Sequence, residues 1–249
     1  MPAVAKEFGS SAWLEQMFSD PPAREVKGRT RWTHRHAAWV EHLGYLAFVE
    51  SRNELIGLLA LEYLWRLGVV KRFKAQPFTT DESIFGREYT PDLCAQDASG
   101  VTYPVEIKTK RFITRADEYK FEQMKEKFAE FNMKFLLWTD RDPLIRPLRH
   151  NLLRLRRAST ENIQPEETAR LIFLLESHGP MPLWALYECD LDINLVSHAA
   201  WSGQVFVPLL SQFGEQALVD LQPVEDLASA LFATEPDLHG WWNSLEVAA

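Results

Sequence analysis

Four positions in this chain could do chemistry together: Asp92, which follows Pro91, and the triplet Glu106-Ile107-Lys108. Residues 88–94 read as one strand, Asp97-Ala98-Ser99-Gly100 as a turn, and residues 102–108 as the returning strand of a hairpin. Side chains two apart on a strand leave the same face, so Glu106 and Lys108 stand side by side with Asp92 on the neighbouring strand. Two carboxylates can hold a hard divalent cation such as Mg²⁺. A lysine beside them can orient or deprotonate an attacking water, or neutralise charge on a phosphate. The constellation suits metal-dependent phosphodiester hydrolysis. The letters alone are weak, because an exposed hairpin of alternating charge would carry them too; the apolar Val105 and Ile107 on the opposite face weigh against that.

These residues need elements to hold them. Upstream, residues 45–50 read as a strand, and Ser51 is a good N-cap for a helix over residues 55–67 that Gly68 ends. That helix is apolar nearly all round, so it should be buried. Ser51-x-x-Glu54 has the spacing of a capping box, which alone would explain Glu54. The functional alternative is that Glu54 points from the first turn toward the hairpin and completes a metal site, with Glu50 as the competitor. A strand over residues 69–75 closes at Gln76-Pro77. Downstream, residues 116–131 form a helix with Phe121, Met124, Phe128 and Phe131 on one face, followed by a strand over residues 134–139. A basic helix comes next, carrying Arg141, Arg146, Arg149, Arg154, Arg156 and Arg157, with Leu148, Leu152, Leu153 and Leu155 facing inward. Helices alternating with mixed strands make an α/β sandwich.

The 249 residues carry a net charge of −8, but unevenly. Residues 1–157 hold 26 Lys+Arg and 21 Asp+Glu, giving +5; residues 158–249 hold 1 and 14, giving −13. The first part can approach a phosphate backbone and the second would be repelled by one. A basic run before the first strand (Arg24, Lys27, Arg29, Arg31, His34, Arg35, His36) reads either as a solvated loop or as a phosphate-contacting strip; its two His lack a third metal ligand nearby. Residues 158–164 look like a linker. After it, a helix starts at Pro165 with Glu166 and Glu167 in its first turn and runs to His178-Gly179. A short helix over residues 182–188, a helix capped by Asp192 that runs to Ser202-Gly203, and a strand over residues 204–209 complete a winged-helix-like pattern. Trp241-Trp242 in the tail reads as packing that closes this unit, with a partner anchor as the alternative. No apolar run is long enough for a membrane span, no apolar secretory stretch begins the chain, and two distant cysteines give neither a disulfide framework nor a zinc site. A reducing, intracellular compartment is the expectation.

The run Ser51-x-x-Glu54, Gln76-Pro77, Tyr89-Thr90-Pro91-Asp92 and Val105-Glu106-Ile107-Lys108 resembles the PD-(D/E)xK nuclease superfamily. More closely it is similar to TnsA, the endonuclease subunit of heteromeric cut-and-paste transposases, over roughly residues 24–157 and loosely through 165–220. The resemblance implies a restriction-endonuclease-like mixed sheet flanked by helices over residues 24–157 and, loosely through 165–220, a winged-helix-like domain that docks on a partner. Residues 1–23 read as an arm and residues 165–249 as one small, acidic, mostly α unit, of which 1–23 and 221–249 lie outside the resemblance. It implies catalytic roles for Glu54, Asp92, Glu106 and Lys108, and Mg²⁺, with Mn²⁺ as substitute, held by Asp92, Glu106, the Ile107 carbonyl and Glu54. Some relatives carry Gln where this chain has Glu106; Glu is the more usual superfamily residue and supports metal binding. Arg29, Arg31, Arg35, Lys110, Arg111 and Arg149 would contact double-stranded DNA. The implied activity is hydrolysis of the 5′ strands at transposon ends in the prokaryotic cytoplasm, on the nucleoid. The implied partners are a DDE-type transposase subunit and an AAA+ ATPase regulator. Two alternatives stand beside it: a stand-alone nuclease for restriction, repair or junction resolution, and a catalytically silent protein-binding adaptor, against which the intact Asp92, Glu106 and Lys108 argue.

Overall fold

The computed structural model describes residues 8–24, 36–80 and 82–233. Its centre is a four-stranded mixed sheet in the order β3 (Val70–Ala75), β4 (Leu93–Asp97), β5 (Thr102–Lys108), β6 (Leu136–Thr139). The first two pairings are antiparallel and the last is parallel. A parallel neighbour needs a long crossover, and α4 (Arg115–Ala129) supplies it between β5 and β6. Helix α1 (Ser11–Ser19) comes first in the chain, then β1 (His36–Val40) and β2 (Tyr45–Val49), which form a separate antiparallel pair, then α2 (Arg52–Arg66). A single short turn of helix, α3 (Glu82–Phe85), precedes β4.

The sheet separates two hydrophobic clusters by strand alternation. Leu93, Ala95, Val105, Ile107, Leu136 and Trp138 belong to the larger cluster, with α2 and α5 (Arg146–Ala158). Cys94 and Phe135 belong to the smaller one, an aromatic cluster in which Phe121, Met124 and Phe128 of α4 meet Phe8, Phe78 and Tyr89. Of the four apolar residues expected on the α4 face, three are buried; Phe131 lies beyond the helix end and meets the ring of Phe8. Helix α2 lies unusually close to the sheet. A methyl group placed on Gly57 would come within 2.6 Å of Ile107 Cδ1 and 3.1 Å of Leu93 Cδ1.

The larger cluster does not stop at the expected linker. Helices α6 (Pro165–His178), α7 (Leu183–Glu188), α8 (Ile193–Trp201) and α9 (Leu227–Phe232), with the two-residue strands β7 (Met181–Pro182) and β8 (Leu218–Val219), pack onto the same core. Trp138 Nε1 donates to the Leu231 carbonyl at 2.8 Å, so a sheet residue is tied to the last helix.

Three local expectations need correction. The first strand of the hairpin starts at Leu93, not at residue 88. Before it, only Tyr89 bridges, to Thr80, and Pro91 has no N–H to offer a ladder. Residues 204–209 form no strand beyond one bridge, Phe206 to Asp220. Side chains satisfy that backbone instead: Glu225 accepts from the N–H groups of Leu209 and Leu210, and Asn151 Nδ2 donates to the carbonyls of Leu209 and Ser211. Finally, the N-terminal arm contains a docked helix. Ser10 caps α1 by accepting from Trp13 N–H, and the buried Lys74 ammonium donates to the Met17 and Asp20 carbonyls at its other end.

Candidate active site

Three elements deliver the site. The Pro91-Asp92 turn enters β4, β5 ends at Lys108, and the first turn of α2 carries Glu54. Ser51 caps α2 as the sequence suggests, its hydroxyl accepting from Glu54 N–H at 3.1 Å. The reciprocal half of a capping box is missing: Glu54 Oε2 accepts from Glu50 N–H at 2.9 Å rather than from the cap residue. The Glu54 carboxylate is therefore turned along the incoming chain and stays 6% exposed. Glu50 is diverted, paired with Arg24 at 3.3 Å.

Asp92 is 9% exposed and its Oδ2 accepts from Ile107 N–H at 2.7 Å, fastening the residue before β4 to the strand beyond. Glu106 is 6% exposed. Its Oε2 accepts from the Tyr89 hydroxyl at 2.7 Å, and its Oε1 lies 2.5 Å from Lys108 Nζ. Lys108 keeps its side chain 43% exposed, so the ammonium faces both the carboxylates and solvent.

The electrostatics show that these groups sense one another. Burial, and then the charges of Glu106 and Glu54, push the Asp92 carboxyl well above its ordinary pKa. Burial raises Glu54 as well, against the lowering effect of the hydrogen bond it accepts from Glu50 N–H. Burial disfavours charge on Lys108, yet Glu106, Asp92 and Glu54 outweigh it and hold the ammonium above its ordinary pKa. Tyr89 is the residue that sequence reasoning passed over, although it stands in the Tyr89-Thr90-Pro91-Asp92 run. Burial and the adjacent Glu106 push its phenol well above the ordinary range, so it remains an O–H donor to that carboxylate.

Three carboxylates face one ammonium, an excess of two negative charges when all are ionised. Among the described residues no three His, Cys, Asp or Glu side chains are placed as a ready cage for a metal ion. The donor set nevertheless fits a hard divalent cation in chemistry and in charge: oxygen ligands only, gathered in a buried cluster whose mutual repulsion a dication would relieve. Lys108 must leave Glu106 Oε1 before that oxygen can accept a metal.

The residues assigned to DNA fall into two groups. Arg29, Arg31 and Arg35 lie outside the described residues. Lys110 and Arg111 are exposed on a 3₁₀ turn (Lys110–Phe112) directly after β5. Lys110 N–H is anchored on Asp140 Oδ1 at 2.8 Å, and the Arg111 guanidinium lies over the Phe112 ring. Arg149, in the second turn of α5, is held below its ordinary pKa by burial and by the nearby charges of Arg52 and Arg146. Arg52 and Arg146 are exposed; Arg146 belongs to the basic helix read in the sequence, and Arg52 was not assigned a role. Arg52 precedes Glu54 by two residues in the first turn of α2.

Comparison with protein-family models and with curated proteins finds no match to the chain. No helix among the described residues is long and apolar enough to cross a membrane.

Proposed function

We propose that this chain is a metal-dependent DNA endonuclease that hydrolyses the 5′ strands at transposon ends, as the nuclease subunit of a heteromeric cut-and-paste transposase. One observation carries the nuclease half: Asp92, Glu106, Lys108 and Glu54, distant in sequence, converge in one buried-to-open cluster at the end of β5. The transposase half rests on the sequence resemblance over residues 24–157. A DDE-type transposase subunit and an AAA+ ATPase regulator are the partners it implies. The acidic unit of α6–α9 is their docking side, and its three leading helices with the β7–β8 pair are the elements we assign to a winged-helix-like module.

Asp92, Glu106, the Ile107 carbonyl and Glu54 would hold Mg²⁺ or Mn²⁺. The bound ion supplies Lewis-acid polarisation of the phosphodiester and lowers the pKa of a bound water. The chain's own residues do the rest. Ile107 N–H fixes the Asp92 carboxylate, and the Tyr89 hydroxyl fixes that of Glu106. Lys108, beside Glu106 and open to solvent, positions a water and offsets phosphate charge. Arg149, Lys110 and Arg111 take backbone phosphates beside the cluster, a contact that positions DNA without reading its sequence.

Calorimetric titration of Mn²⁺ into wild type and Asp92→Ala tests the reading without partners. Binding in wild type that disappears in the variant is expected. Equal binding in both would remove Asp92 from the site and leave the nuclease reading without its central ligand.

A further inference from the structure

Each of the three clustered carboxylates gives one oxygen to a donor of the protein itself. Glu54 Oε2 accepts from Glu50 N–H at 2.9 Å, Asp92 Oδ2 from Ile107 N–H at 2.7 Å, and Glu106 Oε2 from the Tyr89 hydroxyl at 2.7 Å. Two of these donors are main chain and come with the fold. The third is a side chain, and it is fixed from both sides. The Tyr89 backbone bridges Thr80, whose N–H and hydroxyl both donate to the Tyr89 carbonyl. Its ring packs at 6.0 Å from Phe85 and 6.3 Å from Phe128. A phenol held this firmly does not follow Glu106; Glu106 is held by it.

We infer that Tyr89 is a positioning residue that keeps Glu106 from offering both oxygens to one cation and so makes the site prefer Mg²⁺ or Mn²⁺ to Ca²⁺. The inference rests on the metal-site reading above. Mg²⁺ demands near-octahedral coordination, whereas Ca²⁺ takes about six to eight oxygens and readily chelates a carboxylate through both. An O–H donor at 2.7 Å on Oε2 competes with that chelation. With Asp92 Oδ2 and Glu54 Oε2 also engaged, the cluster presents one unengaged or exchangeable oxygen from each acid, a supply better matched to the smaller ion.

The test is calorimetric titration of Mn²⁺ and, separately, Ca²⁺ into wild type and Tyr89→Phe, which keeps the ring and removes the hydroxyl. Wild type is expected to bind Mn²⁺ more tightly than Ca²⁺. In Tyr89→Phe the ratio of Mn²⁺ to Ca²⁺ affinity should fall by about tenfold, the low end of the affinity changes that outer-shell partners carry. An unchanged ratio with Mn²⁺ binding intact would overturn the role of Tyr89 and leave the metal reading standing. No Mn²⁺ binding to wild type would overturn the metal reading itself. A wild-type crystal soaked in Mn²⁺ decides independently of how the variant folds. Glu106 bound through Oε1 alone, with the Tyr89 hydroxyl still on Oε2, supports the inference; Glu106 chelating through both oxygens sinks it.

Discussion

Helix α2 carries two buried acids, and they are held in opposite ways. Glu62, in its middle, is 0% exposed and matched locally. Its Oε1 accepts from Glu41 N–H at 3.1 Å and lies 3.5 Å from Arg66, which also pairs with Glu41. Glu54, in the first turn, has one backbone donor for its carboxylate and otherwise shares its surroundings with the charges of Glu50, Asp92 and Lys108. The first acid is a joint: its Oε1 fastens the β1–β2 turn to the helix with a cation beside it, although Arg66 serves two acids and the buried Glu62 Oε2 has no hydrogen-bond partner. The second belongs to a group with surplus negative charge, which does nothing for the fold and makes sense where a cation or a phosphate-bound ion is to be received. Buried charge serves structure where it is matched and chemistry where it is left in excess.

If that contrast is right, substitutions in the surplus cluster should destroy activity and spare stability. The largest effect expected is on the proposed DNA cleavage: Lys108→Ala should lower its rate by at least ~1000-fold, about 4 kcal/mol of barrier. Its denaturation midpoint should move little, because the ammonium is half in solvent. A variant that unfolds readily would make Lys108 a structural counter-charge and erase the contrast.

The converse applies at the joint. Glu62→Ala removes one partner of a buried pair and leaves Arg66 short of charge, which should cost about 3 kcal/mol in denaturant unfolding. Metal titration should be unaltered in this variant. A cost below about 1 kcal/mol would mean that Glu41 alone suffices for Arg66.

Gly57 lies between the two sites on α2, where the helix packs closely on Ile107 and Leu93 of the sheet. Alanine there gains up to about 1 kcal/mol in helix propensity. It also forces a methyl to within 2.6 Å of the buried Ile107 Cδ1, and overpacking of this kind costs about 1–3 kcal/mol. The overpacking term should win, for a net loss of about 1 kcal/mol by chemical denaturation. Ile107 donates to Asp92, so a weakened Mn²⁺ affinity should accompany the loss.

How far the sequence exposed this arrangement differs from residue to residue. The caps of α2 and α8, the turn at residues 97–100 and the Glu-x-Lys strand follow from short-range rules, and Ser51, Asp192 and Val105 sit where those rules put them. Placing Asp92 inside a strand failed, since Pro91 breaks the ladder and a side-chain bond to Ile107 replaces it. The strand at residues 204–209 failed for a related reason. Its apolar pattern was real, but Asn151 and Glu225, remote in sequence, satisfy the backbone that a strand would have paired. Tyr89 was visible only as a letter in a motif. Its role depends on a bond to Glu106 that no spacing rule specifies, although a tyrosine among the apolar residues of an expected strand, near two acids, was a signal. Strand β1 and helix α1 were overlooked because one follows a basic run and the other an arm whose apolar residues pack onto the aromatic cluster.

The smallest effect sharpens the comparison most, because its sign is opposite to that of a carboxylate paired with a cation. Burial and like charge raise the Asp92 pKa above its ordinary 3.8. The folded chain therefore binds a proton more tightly than the unfolded chain, and by linkage the stability Asp92 contributes is fully present below the unfolded value and is lost as pH rises through the folded one. Asp92→Asn keeps an acceptor for Ile107 N–H and removes the charge. In metal-free protein at pH 8 the variant should be more stable than wild type by about 1 kcal/mol, or about 2–4 °C in Tm for a chain of this size. The advantage should shrink to nothing as pH is lowered toward 4, where Asp92 is protonated in the folded state. Saturating Mn²⁺ should reverse the order at pH 8, since only wild type then gains from binding. A variant less stable than wild type throughout the metal-free series would show that Asp92, like Glu62, is matched, and that the cluster has no surplus for a cation to relieve.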